Sequence, residues 1–401
     1  MLNKNTERFH KDLNQSEKIL RFIDPADSKV WAFLVIDNTI RGPALGGIRM
    51  AQNIKLTEIR RLAHIMSLKN SLAQLPYGGG KMGIAIDPEI FRHEPNARSD
   101  FFSMIAETLF QEDSYIPAPD MGTNEQDTQV IYEVFSQKLG TSQHGRGGAS
   151  RPEEKDGIPI DVWGLTAHGL FSAVQILEKT EENFTIKGSR VVIQGYGNVG
   201  SFIAQKLFDV GAIIVGVSDI NMGLWHSKGL DINELNRVRF LPGGLKQYQG
   251  VESKRFTSEQ LDWILEAPCD LLIPCARPDS ISSRNADRID CKFIIQGANI
   301  PSNKMTEYYL FNRRKIPSLS DIVLNSGGVI GCAAELQMTR DQNFRNEIQF
   351  KGTRKWVEDR VYQTVAENVS KVFHRMEVKE RDTIFREEAQ ELAIERLEAN
   401  L

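Results

Sequence analysis

"SRVVIQGYGNVGSFIAQKLFDVGAIIVGVSD", residues 189–219, decides the fold. An apolar, β-branched run leads into Gly195-x-Gly197-x-x-Gly200, a helical pattern follows, and a second apolar run ends at Ser218-Asp219. Three glycines at this spacing carry meaning only between a strand and a helix, and that context is present here. Gly195 permits the tight turn, Gly197 lets backbone approach a pyrophosphate, and Gly200 lets the helix pack on the strand. Asn198 and Val199 open the helix, whose N-terminus favours anionic phosphates. Asp219 stands nineteen residues after Gly200, where an acidic side chain accepts from adenosine ribose hydroxyls and repels a 2′-phosphate. The stretch predicts a dinucleotide site that prefers NAD to NADP, although Ser218 and Asn221 nearby would tolerate a phosphate.

Working outward, helix and strand alternate. "AHGLFSAVQILEKT" (167–180) reads as a helix, and "DLLIPCA" (270–276) and "KFIIQGAN" (292–299) read as short buried strands. The first ~140 residues mix strand-like "WAFLVID" (31–37) and "GIAID" (83–87) with helix-like "TEIRRLAHIMSLKNSLAQL" (57–75). Between the halves, "TSQHGRGGASRPEEKDGIP" (141–159) has the Gly, Ser, Pro and charge of an interdomain loop. The tail after about residue 338 is charged and helical in pattern, a solvated face packing on the body or on a neighbouring subunit. The expected architecture is α/β. Residues 1–150 form an α/β domain with a mixed sheet for substrate, catalysis and oligomerisation. Residues 151–337 form a Rossmann-like domain, and residues 338–401 form C-terminal helices.

Bulk properties narrow the function. The 401 residues carry a net charge of −4, so no basic field draws the chain to nucleic acid or membrane. No apolar run is long enough to span a bilayer, and "MLNKNTERFH" lacks the apolar region of a secretion signal. Cys269, Cys275, Cys291 and Cys332 show no metal-ligand spacing, so no metal is expected. The cytoplasm is the expected compartment.

The first half carries three candidate reactive groups. Ile59, Leu62, Met66, Lys69 and Ala73 share one helix face, so Lys69 lies in an apolar stripe. Its amine either snorkels past the helix edge or meets an anionic ligand. Lys81 follows Gly78-Gly79-Gly80, but no Ser or Thr follows it and the G-x-x-x-x-G-K spacing is missing, which excludes a P-loop. Asp120, in "YIPAPDMGTNEQD", sits on a loop stiffened by Pro117 and Pro119. Thr123 and Gln126 have capping-box spacing for the next helix, so Asp120 is either a general acid/base or a turn residue.

Together "GPALGGIRM" (42–50), "MSLKNSLAQLPYGGGKMGIAID" (66–87), "PAPDMGT" (117–123), "GYGNVG" (195–200), "GAN" (297–299) and "NSGGV" (325–329) resemble the glutamate/leucine/phenylalanine/valine dehydrogenase family. The resemblance spans about residues 30–337. It implies reversible NAD(P)-dependent oxidative deamination of an L-amino acid to a 2-oxo acid and ammonia, by a homo-oligomer. On matching positions it implies that Lys69 binds the substrate carboxylate, Lys81 polarises the 2-oxo group and activates water, and Asp120 exchanges protons. It further implies that Asn299 lies near nicotinamide ribose and substrate, that Thr166 contacts the nicotinamide amide, and that Ala276 lines the cofactor site.

Family members acting on glutamate resemble one another in a lysine just before the paired glycines. Here that position is Leu45, as in the apolar-substrate members. The implied side-chain pocket is Leu45, Gly46, Ala118, Val329 and Cys332. An unpaired carboxylate there would be costly, so an apolar substrate of the Leu, Val, Ile or Phe kind is expected. Glutamate dehydrogenase is the alternative enzyme, and a catalytically silent NAD-binding regulator or scaffold is the alternative of another class. The chain departs from the family's pattern at Gln296, at Ser320, and in the loop 145–161.

Overall fold

The computed structural model describes residues 16–23, 28–251, 253–380 and 382–399; the N-terminal "MLNKNTERFH" lies outside them. Two compact units result. One comprises residues 1–163, 328–359 and 392–401, and the other residues 164–327 and 360–391.

The first unit is built on a five-stranded mixed sheet, β1 (Lys18–Ile23), β2 (Val30–Asn38), β3 (Ala44–Met50), β4 (Gly78–Ile84) and β5 (Tyr115–Pro119), in the order β1-β2-β4-β3-β5. β3 runs parallel to β4 and β5, whereas β2 runs antiparallel to β1 and β4. Period-two alternation sorts the side chains. Ala32, Leu34, Ile36, Ile48, Met50, Met82 and Ile84 enter the core with Phe102, Ile105, Ile131 and Phe135. Those four come from α2 (Pro95–Leu109) and α3 (Glu125–Leu139). Against β2 and β4, Val35 packs with Ile59 and Ala63 of α1 (Leu56–Leu72).

The strand holding Lys81 starts earlier than "GIAID" predicts, because the three glycines are inside it. Each is required by a neighbour. A Cβ on Gly78 would stand 2.0 Å from Asn38 O, one on Gly79 would stand 2.1 Å from Ser67 N of α1, and one on Gly80 would meet Ala44 and Tyr115. They bring a helix and adjacent chain close to the sheet.

The second unit holds a seven-stranded sheet in the order β12-β11-β10-β6-β7-β8-β9. Its strands are β6 (Arg190–Gln194), β7 (Ile213–Ser218), β8 (Met222–Trp225), β9 (Lys254–Thr257), β10 (Leu271–Pro274), β11 (Phe293–Ile295) and β12 (Ser318–Leu319). The five strands from β12 to β7 are parallel, as expected of a Rossmann-like sheet, and β8 and β9 add an antiparallel edge. Helices α4 (Leu165–Thr180) and α5 (Asn198–Asp209) belong to this unit, as does the short α6 (Ile232–Val238). From residue 327 onward the described chain is helical, with α7 (Gly327–Arg340), α8 (Gln342–Phe350), α9 (Thr353–Val378) and α10 (Phe385–Glu398). The end of α10 is tied to α1, since Ser71 Oγ donates to Ala393 O at 2.6 Å. No helix among the described residues is long and apolar enough to cross a membrane.

Candidate functional site

Lys81 and Asp120 meet. The Lys81 Nζ lies 2.7 Å from Asp120 Oδ2, with both groups inside the protein. Strand alternation explains why. Lys81 is on β4, Leu45, Gly47 and Arg49 share one face of the adjacent β3, and Gly47 pairs with Ala118 two residues before Asp120. Gly47 is the clearance between the two groups, for a Cβ there would stand 2.8 Å from Asp120 Cβ and 3.1 Å from Lys81 Nζ. The space beside Lys81 is therefore made by Gly47 rather than by the three glycines that precede the lysine.

A third charged group joins them that sequence reasoning missed. Arg49 donates from Nε to Asp120 Oδ2 at 3.0 Å and from Nη1 to Glu58 Oε1 at 2.6 Å. The signal was available in "GGIRM": an arginine in a strand buried on both faces must have a partner. Burial alone would raise the Asp120 pKa, but the Lys81 and Arg49 charges outweigh it and hold the carboxyl well below its usual range. Burial pulls the Lys81 amine down, and Arg49 adds to this against the opposing pull of Asp120. A buried carboxylate shared by two cations stays ionised, and the lysine gives up its proton more readily than a lysine in water.

The loop carrying Asp120 is fixed from both ends. Thr123 does not cap α3 as its spacing predicts; Asn124 does, accepting from Gln126 N and Asp127 N while Asp127 accepts from Asn124 N. Thr123 instead accepts from Asp120 N at 2.9 Å and donates to Ile48 O at 2.7 Å, which ties the Asp120 backbone to β3. Lys69 is 4% exposed, so its side chain does not snorkel into bulk water.

The expected side-chain pocket is partly assembled. Leu45, Ala118 and Cys332 pack in one cluster with Tyr77, Ile116, Ala149, Ala333 and Leu336. Val329 is buried on α7 but outside that cluster. Gly46 serves strand packing, since a Cβ there would stand 1.8 Å from Gly80 O. The segment 141–159 is more than a linker. Ala149 N donates to Pro117 O at 2.9 Å, and Thr128 Oγ1 donates to Ser150 O at 2.8 Å. Arg151 forms a buried ion pair with Glu335 of α7 at 2.7 Å, and the Glu335 carboxylate also accepts from Ile158 N. Composition hid the Glu335 contacts because that partner lies over 170 residues away. Asp161, just beyond, has its carboxyl pushed up to about 6 by burial and by Glu125 and Asp120.

In the second unit, Gly195 and Gly200 serve the tight turn and the close helix packing that their spacing predicts. Gly195 has φ +92°, and a Cβ there would stand 2.9 Å from Ala276 N, so Ala276 packs against the turn. A Cβ on Gly200 would stand 1.9 Å from Gly195 O. A Cβ on Gly197 would meet no protein atom within 4 Å. That exposed glycine, beside Asn198 and Val199 at the start of α5, fits a dinucleotide phosphate. Asp219 sits at the end of β7, but its carboxylate is largely used within the protein. Oδ1 accepts from Asn221 N and Met222 N at 2.7 and 2.8 Å, and Oδ2 accepts from Leu245 N at 2.8 Å. One lone-pair direction of four stays open for a ribose hydroxyl. Thr166 lies in the first turn of α4.

Asn299 Oδ1 accepts from Asn325 Nδ2 at 3.1 Å, and the same Asn325 nitrogen donates to Gly297 O. Behind it lies a buried polar cluster that accounts for Gln296. Its Nε2 donates to Ser302, Glu307 and Ser318, and its Oε1 accepts from Arg386 at 2.8 Å. Arg386 also pairs with Glu307 and Asp321 at 2.8 and 3.1 Å. Asp321 accepts from Ile300 N, next to Asn299. Among the described residues, no group of His, Cys, Asp and Glu side chains could hold a metal ion.

Comparison with known proteins bears on these geometries. Residues 17–137 match the profile of the Glu/Leu/Phe/Val dehydrogenase dimerisation domain, and residues 158–400 match that of Glutamate/Leucine/Phenylalanine/Valine dehydrogenase. The chain is 33% identical to an NADP-specific glutamate dehydrogenase of Saccharolobus shibatae, over 96% of this chain and 89% of that one. It is 34% identical to a glutamate dehydrogenase of Aeropyrum pernix, over 73% and 68%. In structure it resembles the hetero-hexameric glutamate dehydrogenase of Thermus thermophilus in a Leu-bound form, with TM-score 0.84 and 23% identity over 100% of this chain and 92% of that one. The glutamate dehydrogenase of Plasmodium falciparum gives 0.81 and 21% over 97% and 84%.

Proposed function

Since the chain belongs to the glutamate/leucine/phenylalanine/valine dehydrogenase family of NAD(P)-dependent amino acid dehydrogenases, we propose that its own substrate is an apolar L-amino acid of the Leu, Val, Ile or Phe kind. The carrying observation is Leu45, fully buried and packed with Ala118 and Cys332. A carboxylate side chain set against these groups would lose its hydration without gaining a cation. A second reading, glutamate as substrate, is supported by the names of the relatives.

In this reading Lys69 seats the substrate α-carboxylate, Lys81 and Asp120 work on the reacting carbon and nitrogen, and Asn299 orients nicotinamide ribose and substrate. A dinucleotide held by the second unit would supply the acceptor for the hydride that leaves the substrate Cα. Lys81, its amine easier to deprotonate than a free lysine, takes a proton from the water that attacks Cα and then, as an ammonium, stabilises the oxygen that forms there. Asp120 is too weak a base while both Lys81 and Arg49 hold it. Turning the Lys81 amine toward the substrate removes one of those cations and raises the basicity of Asp120, which then takes a proton from the substrate ammonium and returns it to the departing amine. Gly195, Gly197, Asn198, Val199 and Gly200 would hold the dinucleotide phosphates, with Thr166 and Ala276 nearer the nicotinamide. NAD is the proposed cofactor because Asp219 places negative charge at the end of β7. The name of the Saccharolobus relative favours NADP instead.

The test is formation of reduced cofactor by the purified full chain with each of the twenty L-amino acids, using NAD and NADP in parallel. Turnover of leucine-like substrates with none from glutamate supports the proposal. Turnover of glutamate alone would overturn it in favour of the second reading. Absence of any turnover, with NADH still bound, would favour a silent regulator or scaffold.

A further inference from the structure

Arg239 is a half-buried cation. It directly follows α6 and crosses to the first turns of α5, where Nη2 donates to Asn198 Oδ1 at 2.9 Å and Nη1 donates to Ser201 Oγ. No carboxylate among the described residues pairs with it. Its guanidinium lies over the Phe240 ring, 4.4 Å from the centroid. Burial draws its pKa down, which is the signature of a charge that has lost water without full compensation.

The position is built. Tyr196 of the glycine turn donates to Asn236 Oδ1 at 2.8 Å, and Asn236 Nδ2 donates to Gln205 Oε1 of α5 at 2.7 Å. α6 is thus pinned to both the glycine turn and the helix that follows it, and Arg239 is the next residue after α6. The protein's own charges are unfavourably placed there. The start of α5 already carries the positive end of a helix dipole, and the arginine adds a full positive charge beside it. A dianionic group at Gly197, where there is open space, would satisfy both.

We propose that Arg239 binds the diphosphate of the dinucleotide cofactor, exchanging its hydrogen bond to Asn198 for bonds to phosphate oxygen. The assignment rests on the dinucleotide reading of the glycine turn. It places Arg239 on the group common to NADH and NADPH, and not on the 2′-phosphate that distinguishes them.

The test is equilibrium titration of the full chain, followed by tryptophan fluorescence, with NADH, NADPH and ADP-ribose. Adenosine is added as a competitor that lacks phosphate. Arg239→Gln should raise Kd for all three phosphorylated ligands about 10- to 100-fold, the loss expected of a charge-assisted hydrogen bond. The inhibition constant of adenosine should not change, and the unfolding midpoint without ligand should stay within a few degrees of wild type. Arg239→Lys should recover part of the affinity, and the salt dependence of NADH binding should weaken in Arg239→Gln. Unchanged Kd values would overturn the assignment. So would an equal loss for adenosine, which marks a structural role, or a loss confined to NADPH, which marks a 2′-phosphate contact. Failure of the wild-type chain to bind NADH would instead overturn the dinucleotide reading beneath it.

Discussion

Two buried charge clusters, one in each unit, use similar ingredients to opposite ends. In the second unit, Arg386 lies between Glu307 and Asp321, with Gln296 closing the arrangement. Burial opposes its charge, but two carboxylates overcome burial and raise its pKa. In the first unit, Lys81 has a single carboxylate, and Arg49 holds the same oxygen of it. There burial prevails, and the lysine proton is loosened. One cation between two anions is a lock, whereas one anion between two cations is a poised acid/base pair. The first kind of cluster fixes the chain, and the second can do proton chemistry.

Substitution can pull the two kinds apart. Lys81→Ala should lower kcat by about 10³-fold or more while the chain stays folded, measured by steady-state assay beside thermal unfolding. Wild-type-like kcat would remove Lys81 from the mechanism. Arg386→Met should do the reverse, destabilising by about 3–5 kcal/mol in denaturant titration because two buried carboxylates lose their cation. Activity per folded molecule should survive if that cluster is only structural. Leu45→Lys combined with Cys332→Ser should move the glutamate-to-leucine ratio of kcat/KM toward glutamate by about 100-fold. An unchanged ratio would mean that this cluster does not read the substrate side chain.

Smaller effects test the electrostatics. Arg49→Gln removes a charge that depresses the Lys81 pKa, so the acid limb of the kcat/KM profile for amino acid oxidation should move to higher pH. A shift to lower pH would contradict the assigned coupling. Asp161 has a folded pKa above its unfolded one, so the folded state binds its proton more tightly. Its contribution therefore falls as pH rises from about 4 through about 6. Asp161→Asn should raise the unfolding midpoint at pH 8 by roughly 2 °C, with a gain that shrinks toward pH 4.

What was legible in the sequence was local. The glycine turn after β6, the α/β alternation and the place of Lys69 in an apolar helix stripe follow from spacing within one or two elements. Lys81 and Asp120 stood out because glycines and prolines flank them, and the family resemblance supplied their roles. What escaped depends on distant partners. Arg49 meets Asp120 only because β3 and β5 are neighbours in the sheet, 71 residues apart in sequence. Gln296 looks anomalous until Arg386 arrives, 90 residues later. The helix cap moved by one residue, from Thr123 to Asn124, because Thr123 was taken by β3, which helix-local rules do not see.

Gly79 carries a consequence for anyone who would re-engineer the chain. It lets Ser67 of α1 rest directly on the sheet, and Lys69 follows two residues later on that helix. Its missing carbon works as a shim of zero thickness that sets how far the amine of Lys69, proposed to seat the substrate carboxylate, stands from the sheet that bears Lys81. A single methyl at position 79 would reset that clearance without changing any charge. The tolerance of the site is mechanical there, and swapping polar side chains would leave it unprobed.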